Sequence, residues 1–378
     1  MSARPSTVEE LTQALVRIPS VNPDGDPGTD LTGEAACADY VAAFLRDCGA
    51  DVMVEEVLPG RPNVIGGFVS GKNKPKILFG PHLDTVGVGG MVIDPFGGEI
   101  KDGRVWGRGA SDTKGPMAAM LWAIKSLGCE LATLPVDVYF VGFMSEESSQ
   151  HGSRHFGAHH RDFDFALVGE PTSMKVVHKH KGCLWADVIT SGTAAHGATP
   201  HLGVNAIVKM AGIVNALQTD FPSLLTNRGG EDELLGSSTI NLGMIQGGTR
   251  SNIVADSCTL RVDIRVTPQL HEQGGAVTVL RDFILDLDPT ACVEVASEAM
   301  PLNTPGENKY VQQLLASGSS LTGAPWFCDA AYLAAEGIPS IAIGPGSIAQ
   351  AHTKDEWIKV SDLEEGVAFF TKWLRALG

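Results

Sequence analysis

Lys76-Ile77-Leu78-Phe79-Gly80-Pro81-His82-Leu83-Asp84 is a short apolar run that stops at a Gly-Pro turn and puts a histidine and an aspartate just beyond it. The arrangement recurs along the chain. Val136 to Phe143 is a β-rich run followed by Glu146 and Glu147, and Phe165 to Val168 is followed by Glu170. Ser340 to Ile343 is followed, through a Gly-Pro-Gly loop, by His352. Helical stretches lie between: Thr7 to Ile18, Glu34 to Cys48 with Gly49 in the C-cap position, and Lys114 to Leu127 with Pro116 in its first turn. Short apolar runs separated by helices predict an α/β fold with a mostly parallel sheet covered on both faces. Tyr310 to Leu315 and Ser361 to Ala376 read as later helices, the last opened by a capping box of Ser361 and Glu364.

The middle of the chain has a different pattern. Cys183 to Thr190 and Ser238 to Ile245 read as strands, and Ser257 to Val266 alternates apolar with polar residues, the period of a half-exposed strand. With helices over Val204 to Leu217 and Gln273 to Leu285, these predict a small α+β domain with one sheet face in solvent. The α/β pattern resumes after it. The smaller domain is therefore expected as an insertion at 178–292, within a domain made of 1–177 and 293–378.

A chain of 378 residues suits two domains, and 43% hydrophobic with 19% charged residues is an ordinary globular balance. The net charge is -16 and no stretch is a run of Lys and Arg, which argues against nucleic acid and anionic membrane as partners. No segment approaches the ~20 apolar residues of a membrane span. Met1 to Thr7 lacks the basic start and apolar run of a signal peptide. The 7 cysteines are scattered with no C-x-x-C pair, so reduced thiols and a cytoplasmic location are expected, and a thiolate metal site is not.

In open α/β sheets the ligand crevice lies at the carboxyl ends of the strands. Four segments thus deliver His82, Asp84, Glu146, Glu147, Glu170 and His352 to one edge, joined by Asp112 from the loop Gly107-Arg108-Gly109-Ala110-Ser111-Asp112. Singly, each has an ordinary explanation: a solvated glutamate pair, or a turn aspartate. Together they offer imidazole and carboxylate donors without sulfur, which suits zinc. Two histidines and even three of these carboxylates exceed what one tetrahedral ion with an open position takes. They suit two ions sharing a bridging carboxylate.

These residues fall in motifs that resemble the M20 metallopeptidase and deacylase family over nearly the whole chain. The motifs are Gly80-Pro-His82-Leu-Asp84-Thr-Val86, Gly107 to Gly115, Ser145-Glu146-Glu147, Gly169-Glu170-Pro-Thr172 and Ala351-His352-Thr353. The resemblance implies a zinc-hydrolase catalytic domain with an inserted lid and dimerisation domain. His82 and Glu170 would hold one zinc, Glu147 and His352 the other, and Asp112 would bridge them; cobalt or manganese are alternatives. Asp84 would orient His82, and Glu146 would be the general base. Ala194 to Pro200 resembles the lid motif whose histidine, here His196, reaches the partner subunit's site in a homodimer. Arg250, Asn252 and Arg265 resemble the lid residues that clamp a substrate α-carboxylate, with Asp263 and Arg265 as a surface strand pair the other reading of the last. Gly346 and Ser347 would present backbone donors to the same carboxylate.

The implied substrate is an N-acyl-L-amino acid or a dipeptide. Trp326-Phe327-Cys328-Asp329-Ala330 lacks the Gly-Gly-Thr stretch of many members and is closer to acetylornithine-deacetylase-like ones, as is Gly346 to His352. Ile253-Val254-Ala255 replaces the Val-Ile-Pro that often follows the lid asparagine. A dipeptidase or carboxypeptidase of the same fold and a succinyl-diaminopimelate desuccinylase are the alternatives, with a non-catalytic metal-binding scaffold more remote. Outside these motifs, His155 and His159 stand i, i+4 on a helix, a spacing that suits a metal pair or a solvated face. His178 and His180 lie in a basic segment expected to form the hinge.

Overall fold

The computed structural model describes residues 4–71 and 73–377. Residues 1–3, part of the stretch read as leader-free, lie outside them. The chain divides into two compact units. One comprises the chain up to His178, Thr304–Thr322 and the chain from Cys328 on; the other comprises Lys179–Asn303 and Gly323–Phe327.

In the first unit the strands Asp137–Gly142, Lys76–Phe79, Phe165–Val168 and Ser340–Ala342 lie side by side, all parallel. Their residues are buried almost throughout, as a sheet covered on both faces requires. Arg61–Phe68 adds antiparallel to Asp137–Gly142, and Asp51–Leu58 pairs with it as an outer hairpin. This hairpin has no clean signature in the sequence. Asp51–Leu58 is largely exposed, while Arg61–Phe68 is buried and carries Pro62, Gly66 and Gly67, which dilute its β pattern.

Lys114–Leu127 is buried nearly all round because it packs against both Val8–Val16 and Val360–Arg375. Phe79 meets Phe370 edge-on at 5.4 Å, tying the sheet to the last helix. Thr7 caps the first helix by accepting from the Glu10 amide, and Gly49 ends the second at φ 91°. The capping box expected at Ser361 is not formed. The strand Trp357–Lys359 runs directly into the helix, Lys359 occupies the cap position, and Ser361 already lies in the first turn.

The second unit is a four-stranded antiparallel sheet in the order Thr239–Gly247, Ser257–Val266, Gly182–Ser191, Cys292–Ala299. Alternation decides its faces. Leu184, Ala186, Val188, Leu260, Val262 and Ile264 point into a core with Met210, Ile213, Leu217 and Phe221. Trp185, 44% exposed, and the ion pair Arg261–Asp187 lie on the other face. The second unit runs on to Asn303, past 292, with Cys292–Ala299 pairing with Gly182–Ser191 as a fourth strand, and it takes in Gly323–Phe327 as well. No helix among the described residues is long and apolar enough to cross a membrane.

Candidate functional site

Sheet pairing continues past Phe79 and fixes the first loop. Leu83 N–H donates to the Phe143 carbonyl at 2.7 Å and Phe143 N–H to the Pro81 carbonyl at 3.0 Å, so His82 and the segment before Glu146 are joined side by side. Asp112 arrives on a turn that needs glycine at two places. Gly107 has φ 143° and a Cβ there would stand 2.5 Å from Val16, while Gly109 has φ 82° and would stand 2.8 Å from Thr85.

The Ser145-Glu146-Glu147 turn is held by two buried carboxylates. Asp84 accepts from the Glu146 amide at 3.0 Å and the Glu147 amide at 3.1 Å, and from Asn22 at 2.8 Å. Glu34 accepts from the Ser145 amide at 3.1 Å and from both arms of Arg61, at 2.6 and 2.8 Å. Asp84 thus does more than was expected of it. Its backbone carbonyl, at 3.0 Å, is the nearer partner of His82 Nδ1, with its carboxylate at 3.5 Å. A carbonyl only accepts, so Nδ1 carries a proton and Nε2 is turned toward Asp112.

The five expected metal residues come together in two sets. His82, Asp112 and Glu170 form one, and Asp112, Glu147 and His352 the other, with the donor atoms of each set within 4.8 Å of one another. Asp112 Oδ1 lies 3.2 Å from His82 Nε2, and Oδ2 lies 3.3 Å from His352 Nε2. His352 Nε2 is also 3.2 Å from Glu147 Oε2. One oxygen of Glu170 is buried with no hydrogen-bond partner among the described residues. A carboxylate with one oxygen aimed at each set, an imidazole lone pair on either side and an orphaned buried oxygen fit two cations.

The charges point the same way. Burial pushes Glu146 and Glu170 well above the usual carboxyl range, and burial with the Asp112 charge takes Glu147 up to about 7. Burial works against charge on Asp112 too, but hydrogen bonds to His352 and His82 outweigh it and hold that carboxyl well below normal. Hydrogen bonds to Asp112 and Glu147 raise His352 to about 10. Glu146 is 8% exposed and belongs to neither set. Asp329, absent from the expected site, is fully buried nearby in charge terms; burial raises it to about 7, and it accepts from the Ser153 hydroxyl at 2.5 Å. Glu34 and Arg61 carry no local sequence signal, since their partners lie far away along the chain, whereas Asp329 stands in the Trp326–Ala330 stretch, which the sequence marks for its likeness to relatives and not as part of the site.

The remaining expected residues divide. His196, Arg250 and Asn252 are exposed residues of the second unit. The Gly197 amide donates to the Asn252 carbonyl at 2.8 Å, so the His196 and Asn252 loops are joined. Arg265 is not an open clamp. Both its arms engage Asp263, at 2.9 Å each, which is the strand-pair alternative. The Gly346 carbonyl accepts from Ser173 N–H at 2.7 Å, and the Ser347 carbonyl from the Ser111 hydroxyl at 3.3 Å. His155 and His159 stack at 4.2 Å and form no metal set among the described residues, and His155 and His160 face Glu55, at 3.3 and 3.4 Å. His178 and His180 are buried, and burial lowers His180 to about 4.

Residues 78–376 match the family described as Peptidase family M20/M25/M40. The chain is 29% identical to acetylornithine deacetylase of Vibrio vulnificus (strain CMCP6) over 377 residues, covering 97% of each. Aminopeptidase PepT from Bacillus cereus ATCC 10987 superposes with a TM-score of 0.77 at 22% identity, with 97% of each chain covered. The YXEP protein of Bacillus subtilis, described as a dinuclear metal binding peptidase from the M20 family, gives 0.71 at 14% identity, covering 98% of this chain and 97% of that one.

Proposed function

The chain belongs to peptidase family M20/M25/M40, a family of hydrolytic enzymes, and from that premise we propose that it deacylates an N-acyl-L-amino acid as an acetylornithine-deacetylase-like, di-zinc, cytoplasmic enzyme. The observation that carries this is the pair of donor sets sharing Asp112, with Glu146 beside them and in neither. His82, Asp112 and Glu170 would hold one ion, and Asp112, Glu147 and His352 the other; cobalt or manganese suit the same donors. Bound there, the ions supply Lewis acidity to water and to the scissile carbonyl.

The chain's own residues do the rest. Glu146 takes the proton of the attacking water as the new C–O bond forms, and hands it to the nitrogen as the C–N bond breaks. Burial raises the proton affinity of Glu146 in the metal-free site. Asp84 and Glu34 fix the turn that carries it. The Gly346–Ser347 turn would receive the substrate carboxylate; in the second unit, Arg250 and Asn252 are the residues suited to binding a carboxylate. Arg265 would join them only by leaving Asp263.

Metal removal followed by return of zinc or cobalt, with N-acetyl-L-ornithine assayed beside other N-acetyl-L-amino acids and dipeptides, tests this. A metal-dependent release of acetate with one preferred substrate is expected. Inert acetyl compounds beside cleaved dipeptides would favour the second reading, a dipeptidase or carboxypeptidase, which the peptidase names among the structural relatives support. Hydrolysis of neither class would end both.

The second unit supports a homodimer. Thr239–Gly247 is an edge strand with Met244 69% and Ile245 59% exposed, and Val208 is 69% exposed on the helix Ala206–Thr219. An apolar edge of this kind suits pairing with a second copy. Ala198 N–H donates to His196 Nδ1 at 3.1 Å, which leaves the Nε2 proton free to meet a developing oxyanion in the partner. If His196 works across the dimer, Glu146→Gln and His196→Ala chains should complement. Mixed after subunit exchange, half the dimers carry one intact site, so about a quarter of wild-type activity should return. No recovery despite confirmed heterodimers would remove the cross-subunit role.

A further inference from the structure

The loop that carries Asp112 and the loop that carries His352 are stitched together by Glu356. Its side chain is fully buried. Oε1 accepts from the Ser111 amide at 2.8 Å and the Asp112 amide at 2.9 Å. Oε2 accepts from the Gly109 amide at 3.0 Å and from Arg108 Nη1 at 2.8 Å. The Glu356 carbonyl takes the Gly107 amide at 3.0 Å as well. A carboxylate offers about four acceptor sites, and here the side chain uses four. The strand Trp357–Lys359 pairs with Arg104–Trp106 and so sets this residue against the Gly107–Asp112 turn. His352, at φ 61°, lies on the segment that leads into it.

The geometry points to Glu356 as the positioning residue that sets Asp112 against His352 and thereby assembles the Asp112–Glu147–His352 set. This rests on the reading that the two sets hold metal ions. Glu356 touches neither ion nor substrate; it acts through the Asp112 amide and through the chain running back to His352. The other set shares Asp112, but its two remaining residues have separate anchors: His82 is tied to Phe143, and Glu170 follows the strand Phe165–Val168, with Gly169 accepting from Thr113 at 2.6 Å. Loss of Glu356 should therefore be lopsided and weaken the His352 set more. A residue that merely filled the core would loosen both alike.

Cobalt(II) titration of the metal-free full-length chain, followed by visible absorption, tests this. Glu356→Gln keeps the shape but turns an NH2 group toward two of the donors. Glu356→Asp keeps the charge and shortens the reach. Wild type is expected to take two equivalents. The Gln variant should bind the first nearly as wild type and the second about 10–100-fold more weakly, with an altered spectrum for that equivalent. The Asp variant should fall between. Wild-type affinities and spectrum in the Gln variant would overturn the inference. So would equal weakening of both equivalents together with a lowered melting temperature of the metal-free chain. If the Gln variant does not fold, the Asp variant carries the same test: weakening confined to the second equivalent supports the inference and equal weakening overturns it. A wild-type chain that takes no cobalt would instead overturn the metal reading beneath it.

Discussion

Glu146→Gln is expected to lower kcat by roughly 10³-fold, within the range that a positioned general base contributes, while leaving KM and both metal equivalents unchanged. The amide keeps the size of the side chain and cannot accept the proton from water. Glu146 lies in neither donor set, and the bonds that hold its turn run through its backbone amide to Asp84 rather than through its carboxylate. Neither ion binding nor the turn should therefore suffer. Steady-state kinetics with elemental analysis of the same sample provide the check. A variant that lost metal along with activity would show that Glu146 is a ligand. One that kept more than a tenth of wild-type kcat would leave the base to be found elsewhere.

Asp112→Ala should be more damaging still, with activity below detection and loss of both equivalents. Asp112 is the one residue common to both sets, and its two oxygens lie 3.2 and 3.3 Å from imidazoles on opposite sides. Glu170→Ala and His352→Ala each remove a donor from a single set, so each should retain one tightly bound ion. Burial is the main cause that raises Glu147 and Glu170 and would remain, but removing Asp112 takes away the charge that adds to it, so these two carboxylates should ionise more readily in the metal-free variant. Native mass spectrometry of the three variants distinguishes these outcomes. Retention of both ions by Asp112→Ala would mean that Asp112 does not bridge.

The parallel centre of the first unit and the five residues that come together in the two sets were legible because the signals are local: an apolar run, a Gly-Pro or glycine break, then a charged residue. The outer hairpin was not, because half of it faces solvent and glycines dilute the other half. The groups that hold the donors in place were also invisible. Glu34 is 111 residues from Ser145, and Glu356 is 244 from Asp112, so only the fold brings each pair together. Arg265 shows the converse. Its role as a clamp was implied by the family resemblance, yet the i, i+2 spacing with Asp263 on one sheet face, the other reading of the sequence, makes the ion pair geometrically natural.

The break in the first unit between His178 and Thr304 has a consequence for descent. Every donor and Glu146 lie outside that interval, His352 after it and the rest before it, while His196, Arg250, Asn252 and the exposed edge strand all lie inside. On the proposed function, substitutions drifting through the inserted stretch would leave unaltered every residue proposed to hold an ion. A gene laid out in this way could, on that proposal, duplicate and vary the inserted stretch while the residues proposed for the chemistry are inherited intact.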